Sequence, residues 1–467
     1  MAVASTLPEQ LVVAAALLAL SVAITASASA SPAPANRSSC YKHIFSFGDS
    51  LIDTGNSIVN FTPPPPVLKL PYGETFFGRP TGRWSDGRLV VDFIVERLGF
   101  PYWPAYLQAA AGKSPAEEFR YGANFAVTAA TALSQDFFIK KNLSVNLRPR
   151  IPLYSLGVQI GWFKKVLAAL GTTDQERKEV MESSLFLVGE IGVNDYHHPF
   201  VQNKTLEWVR PLVPQVISSI AFSIEALIDL GAKTMYVSGI FPLGCTPQYL
   251  YLALFPGDDR DPATGCLRWL NDLILIHNHM LKTKQGELRR GHPGACPGVS
   301  ITYVDSYDNV LGLIIAPTQN GFDKETMLEA CYLGPAAVPC PDPSRHVSFD
   351  GLHMTEAAYK LMARGMLDGP FAAPPIMSTC NHGARAGCCK PTQKRVWRAV
   401  AGVVLRRRGP YNTDLMVRCG GHNVSRPMQG VVAGRVPPSY EFVAHGLLWG
   451  PATCARCRVA GASQWQL

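Results

Sequence analysis

The sequence predicts an α/β fold built on a mostly parallel sheet. Two observations point there. Short apolar runs of strand length recur along the chain, and long helical patterns separate them. Strands separated by helices form βαβ units, whose strands run parallel and are covered on both faces. The 467 residues are 47% hydrophobic and 17% charged, enough apolar matter for a large core and too much for intrinsic disorder.

The first strand is His43–Phe47. The four-proline run Pro63–Pro66 is loop or polyproline II. Ala123–Val127 is a weaker strand, followed by Leu185–Val188. Next come the helical pattern Val209–Leu230, the strand Thr234–Val237, the helical pattern Leu267–Leu288 and the strand Ile301–Val304. Thr355 can cap a final helix with Ala358, Leu361, Met362 and Met366 on one face. The folded body is expected to end near Pro374-Pro375.

Charge divides the chain. Residues 377–467 hold 13 Lys+Arg and 2 Asp+Glu, a net +11, whereas residues 1–376 hold 30 and 33. The overall +8 therefore belongs to the tail. The faintly acidic body has no electrostatic reason to seek phosphates, so no nucleic-acid partner is expected. Leu11–Ala26 is a near-continuous apolar run of 16 residues, short for a membrane span, and Ala28-Ser29-Ala30 fits an A-x-A cleavage site. Residues 1–30 thus read as a secretory signal peptide, although only the Met1 amine supplies positive charge ahead of the apolar run. No other segment is expected to be long and apolar enough to cross a bilayer. Export agrees with 12 cysteines and with glycosylation sequons at Asn36, Asn60, Asn142, Asn203 and Asn423.

In open parallel sheets the ligand sits beyond the carboxyl ends of the strands. Ser50 follows the first strand in Gly48-Asp49-Ser50-Leu51, where glycine permits a sharp turn. A serine becomes a nucleophile only with a base beside it; otherwise it is a loop serine. Asn194 follows Leu185–Val188, and its amide can donate to a developing oxyanion or simply close a turn. In Asp350-Gly351-Leu352-His353, the aspartate can orient the imidazole through Nδ1, leaving Nε2 for the serine proton. Asp195 and His198 have the same spacing, so spacing alone does not choose between the pairs. His277 and His279 lie two apart on a helical pattern and face different ways, which argues against a metal site. No G-x-S-x-G, Gly-rich phosphate loop or H-E-x-x-H occurs, and no cofactor is expected.

Together these segments resemble the plant GDSL esterase/lipases, a branch of the SGNH hydrolases, and within them the subgroup of sinapine and acetylajmalan esterases. The match runs from about Cys40 to Ile376. It includes Cys40–Ser50, Pro71-Tyr72-Gly73-Glu74-Thr75-Phe76-Phe77, Gly189–Tyr196 and Asp350–Tyr359. The resemblance implies a three-layer flavodoxin-like fold and ester hydrolysis through an acyl-enzyme. It implies that Ser50 is the nucleophile, His353 the general base and then acid, and Asp350 its orienter. Asn194 and the Ser50 N–H line the oxyanion hole. The same resemblance selects Asp350/His353 over Asp195/His198.

Two departures stand out. The family's second block carries a glycine whose N–H completes the oxyanion hole, and Ala129 stands there. A requirement for φ > 0 would strain alanine or turn its donor away, at about 3 kcal/mol for a lost donor. The loop from Cys331 to Cys340 is also shorter than usual for the family. The leading expectation is a secreted serine ester hydrolase acting on lipid-like, acetylated or phenolic esters. The alternative is a catalytically impaired member acting as a binding protein.

The tail repeats the end of the body at an offset of 81, with six of twelve positions identical between Tyr359–Pro370 and Tyr440–Pro451. Residues 377–467 therefore read as a partial, degraded repeat with weak order expected, leaving 31–376 as the hydrolase domain. The cysteines Cys388-Cys389 and Cys454-Ala455-Arg456-Cys457 match no zinc-finger spacing.

Overall fold

A computed structural model describes residues 40–61, 64–110, 115–143, 154–252, 259–291, 298–334 and 336–379, with four further strands between 402 and 445. The chain divides into one unit, Met1–Ala386, and a second, Gly387–Leu467.

In the first unit five strands form one sheet: β1 His43–Phe47, β2 Gly122–Asn124, β3 Ser184–Val188, β4 Thr234–Ser238 and β5 Ser300–Val304. All neighbouring pairs are parallel and the order is β2-β1-β3-β4-β5. β1, β2 and β3 are almost wholly buried, as strands covered on both faces must be. β2 is shorter than the apolar run suggested: past Asn124, Phe125 N still donates to Ser46 O of β1, and Val127 N donates to Gly48 O in the turn beyond it.

Helices cover the two faces. On one side α2 (Leu156–Leu170), α4 (Val213–Asp229) and α5 (Arg268–Gly291) pack together; on the other, α1 (Val90–Arg97) and α6 (Ser306–Ile315) pack against α7 (Glu356–Leu367). α3 (Val193–Phe200) directly follows β3 and its loop. Thr355 caps α7 as expected, its hydroxyl accepting from Ala358 N. α4 begins four residues later than the pattern suggested. Pro211 and Pro214 lack the N–H of a continuous helix and leave two short turns ahead of it.

One expectation needs correction. Leu206–Asp229 has the length and hydropathy of a bilayer-crossing helix, although no such segment was expected beyond the leader. The structure spends that apolarity on the core: Val213, Val216, Ile217, Ile220 and Ile224 are buried. The body also runs past Pro375, because a short helix at Ile376–Thr379 is tied back by Tyr41 Oη and Thr379 Oγ1 at 2.6 Å.

Two disulfides, Cys245–Cys266 and Cys331–Cys340, lie in this unit, and Cys40 is disulfide-bonded too. Residues 1–30, Asn36 and the tail cysteine pairs lie outside the described residues, while Asn142 and Asn203 are exposed. Asn60 ends a short helix and Asn423 lies in a strand.

In the second unit, β6 Gly402–Arg408, β7 Asn412–Cys419, β8 His422–Ser425 and β9 Ala444–His445 form an antiparallel sheet in the order β8-β7-β6-β9. More local pairing is present than was expected there. The spacers Gly409-Pro410-Tyr411 and Gly420-Gly421 are of hairpin length, which lets neighbouring strands pair locally. Ala444–His445 is strand, whereas its counterpart Ala363–Arg364 is helix.

Candidate active site

The site lies beyond the carboxyl ends of β1, β2 and β3, where the strand order switches direction about β1. Ser50 occupies the turn after β1 and is 5% exposed. That turn requires glycine at position 48: a Cβ there would lie 2.6 Å from Glu190 O and 2.7 Å from Ile52 Cδ1. Gln159 of α2 clamps the same residue, accepting from Gly48 N at 2.9 Å and donating to Gly48 O at 2.8 Å.

The loop before α7 brings the partners. His353 Nε2 lies 2.7 Å from Ser50 Oγ. His353 Nδ1 donates to Asp350 Oδ2 at 2.7 Å, and Asp350 Oδ1 accepts from the backbone N–H of His353 at 2.8 Å and of Leu352 at 3.2 Å. Burial alone would raise the Asp350 carboxyl, but the His353 ring and these N–H donors hold it below its ordinary range. Residues 303 apart in the chain thus meet in one hydrogen-bonded row.

Comparison with known proteins gives the family. The family model for GDSL-like Lipase/Acylhydrolase matches residues 44–366. The chain is 41% identical to a sinapine esterase of Brassica napus over 365 residues, covering 74% of this chain and 90% of that one. Two GDSL esterase/lipases of Arabidopsis thaliana are 42% and 40% identical over 356 residues each, or 73% of this chain and 88% and 87% of theirs.

The chain belongs to the GDSL lipase/acylhydrolase family.

This GDSL protein is a carboxylic ester hydrolase with an α/β fold on a central parallel sheet. Its second Asp-x-x-His pair is engaged elsewhere. Asp195 accepts from Ala132 N at 2.8 Å and Leu133 N at 2.9 Å, so it organises the loop after β2. Burial, partly offset by those donors, pushes its carboxyl up to about 7. His198 Nε2 lies 3.3 Å from Ala129 O, and burial pushes the ring down to about 4. His277 is buried against Tyr196 Oη at 2.7 Å while His279 is exposed, so the two rings do face apart.

Asn194 sits in the first turn of α3, 6% exposed. Its Nδ2 donates to Ala130 O at 3.0 Å and, at 3.4 Å, to Asp49 Oδ2. Burial raises the Asp49 carboxyl to about 8, despite the Leu51 N–H that it accepts. Ala129 adopts φ +64°. Alanine is therefore strained into the conformation that glycine adopts freely, rather than turned away from it. The Ser50 and Ala129 N–H groups have no hydrogen-bond partner among the described residues.

Three residues around Ser50, His353 and Asp350 carried no site role in the sequence. Tyr72 Oη donates to Asp350 Oδ2 at 3.0 Å, and burial beside that carboxylate pushes the phenol up, so it stays protonated. Trp84 lies against the His353 ring, with centroids 4.8 Å apart. Thr128, beside Ala129, ties the Trp84 indole to buried Asp53. The signal for Tyr72 was its place in the Pro71–Phe77 block. Nothing in spacing marks Trp84 or Thr128, which reach the site from loops distant in sequence.

The Cys331–Cys340 loop backs this arrangement. Tyr332 N donates to Phe349 O at 2.6 Å, and Tyr72, Tyr332 and Phe349 pack as a small aromatic cluster beneath Asp350.

Proposed function

We propose that this hydrolase cleaves its ester through an acyl-enzyme on Ser50. His353 Nε2 takes the hydroxyl proton as Ser50 Oγ attacks the carbonyl carbon. The tetrahedral oxyanion is held by the N–H groups of Ser50 and Ala129 and by Asn194, which exchanges its longer bond to Asp49 for one to the substrate. His353 then protonates the leaving alkoxide, water attacks the acyl carbon with its proton passing to His353, and Ser50 is regenerated. Asp350 keeps the imidazole oriented and stabilises the imidazolium in both halves. The carrying observation is the Ser50–His353–Asp350 row, with 2.7 Å at each link.

In this reading residues 1–30 direct secretion, 31–376 are the catalytic domain, and 377–467 are a degraded partial repeat. The substrates are small carboxylic esters: lipid-like, acetylated or phenolic. The likeness to sinapine esterase makes sinapine a substrate to try. Hydrolysis of p-nitrophenyl acetate and sinapine by wild type and Ser50→Ala tests the assignment. A loss of about 10³-fold or more is expected for the variant. Equal rates for the two proteins would refute it, and wild-type rates at background would favour a binding role.

A further inference from the structure

Trp84 joins two parts of the site that the chain brings from different loops. Its indole lies over His353 with centroids 4.8 Å apart and planes 33° apart. Its Nε1–H donates to Thr128 Oγ1 at 2.5 Å, and Thr128 in turn donates to Asp53 Oδ2 from its hydroxyl at 3.0 Å and its backbone N–H at 2.9 Å. Asp53 is fully buried and also accepts from Gly55 N, Asn56 N and Ser57 N, so it is a rigid anchor. Tyr72 and the indole pack edge to face with centroids 5.7 Å apart.

The backbone around Trp84 is fixed as firmly. Arg83 forms a two-pronged pair with Asp92 of α1, both contacts at 2.8 Å. On the other side Asp86 accepts from Glu356 N at the start of α7, and Arg88 pairs with Glu356 at 2.8 Å. Trp84 itself remains partly exposed, although Arg83, Ser85 and Asp86 around it are buried. A loop pinned to both helices thus holds one indole in the site.

We infer that Trp84 is a positioning residue for the hydrolysis: it fixes the His353 ring plane, couples that ring to the Thr128–Ala129 block, and favours the imidazolium formed as Ser50 attacks. The last effect follows from charge. Neutral imidazole gains little from an indole face, whereas the cation is attracted to it, so the contact strengthens towards the transition state. A contact of that kind acts on kcat rather than on KM.

The inference rests on the Ser50–His353 assignment, and the experiment separates the two. Wild type, Trp84→Phe, Trp84→Leu and Thr128→Val are compared as full chains on p-nitrophenyl acetate, with thermal unfolding alongside. Trp84→Leu is expected to lower kcat about tenfold with KM nearly unchanged. Trp84→Phe, which keeps an aromatic face, recovers most of that loss. Thr128→Val, which keeps the indole but cuts its anchor, loses several-fold in kcat. Leucine and phenylalanine variants of equal activity, or an effect confined to KM, overturn the inference. If Trp84→Leu does not fold, Trp84→Phe and Thr128→Val decide: Thr128→Val at wild-type kcat overturns it. Absence of Ser50-dependent turnover in wild type overturns the parent assignment instead.

Discussion

Ala129 shows what a single methyl group does at a site designed around backbone direction. At φ +64° the backbone holds the left-handed conformation that glycine adopts freely, and the cost falls on stability, about 1 kcal/mol. Ala129→Gly is therefore expected to raise stability by a few tenths to about 1 kcal/mol, since glycine's looser unfolded chain offsets part of the relief. kcat should change less than about threefold. Urea titration and p-nitrophenyl acetate kinetics check both; a gain of 10²-fold in rate would mean that alanine displaces the donor after all. Tyr72 acts at the same scale. Tyr72→Phe removes the bond to Asp350 Oδ2 and leaves the ring packing. A loss of about 1 kcal/mol in transition-state stabilisation, or roughly fivefold in kcat, is expected.

At the scale of elements, helices reach across to position loops. α2 runs along one face of the sheet, yet its Gln159 satisfies both backbone groups of Gly48, two residues before Ser50. Gln159→Leu fills the volume but leaves a buried N–H and C=O unpaired. Destabilisation of about 2–4 kcal/mol is expected, with slower labelling of Ser50 by a fluorophosphonate probe. An unchanged urea midpoint would show that the clamp is dispensable. α7 plays the matching part for His353, its first turn capped from two directions by Thr355 and by Asp86 of a distant loop.

For the whole molecule, the cost of burial is pH dependence. His277 is enclosed between α3 and α5 with Nε2 unpartnered among the described residues, and burial pushes its ring down to about 3. Its folded pKa lies below the ordinary 6.5, so the unfolded chain takes up a proton that the folded chain refuses. The associated stability is present above pH 6.5 and is lost as pH falls towards 3. At pH 4.5 the loss is about 3 kcal/mol. His277→Gln should therefore gain in urea midpoint relative to wild type as pH is lowered from 7 to 4.5, on top of the opposite contributions of the raised Asp49 and Asp195 carboxyls that both proteins share; a difference between the two proteins that does not change with pH would show that His277 contributes none of the pH dependence.

Strand positions, the parallel sheet and the serine, asparagine and Asp-x-x-His motifs were legible because each is a local pattern. Apolar runs at strand spacing report burial on both faces, and Gly48 reports a turn that a Cβ would block. The order of blocks, with its resemblance to a known family, also pointed to Asp350/His353. Local text could not say that Ala129 would hold positive φ instead of turning aside. Nor could it say that Asp195 and His198 serve the loop after β2. Trp84 and Gln159 were out of reach for the same reason, and the Pro71–Phe77 block marked Tyr72 without giving it a role. Their roles arise from contacts between residues far apart in the chain, and only packing brings those residues together.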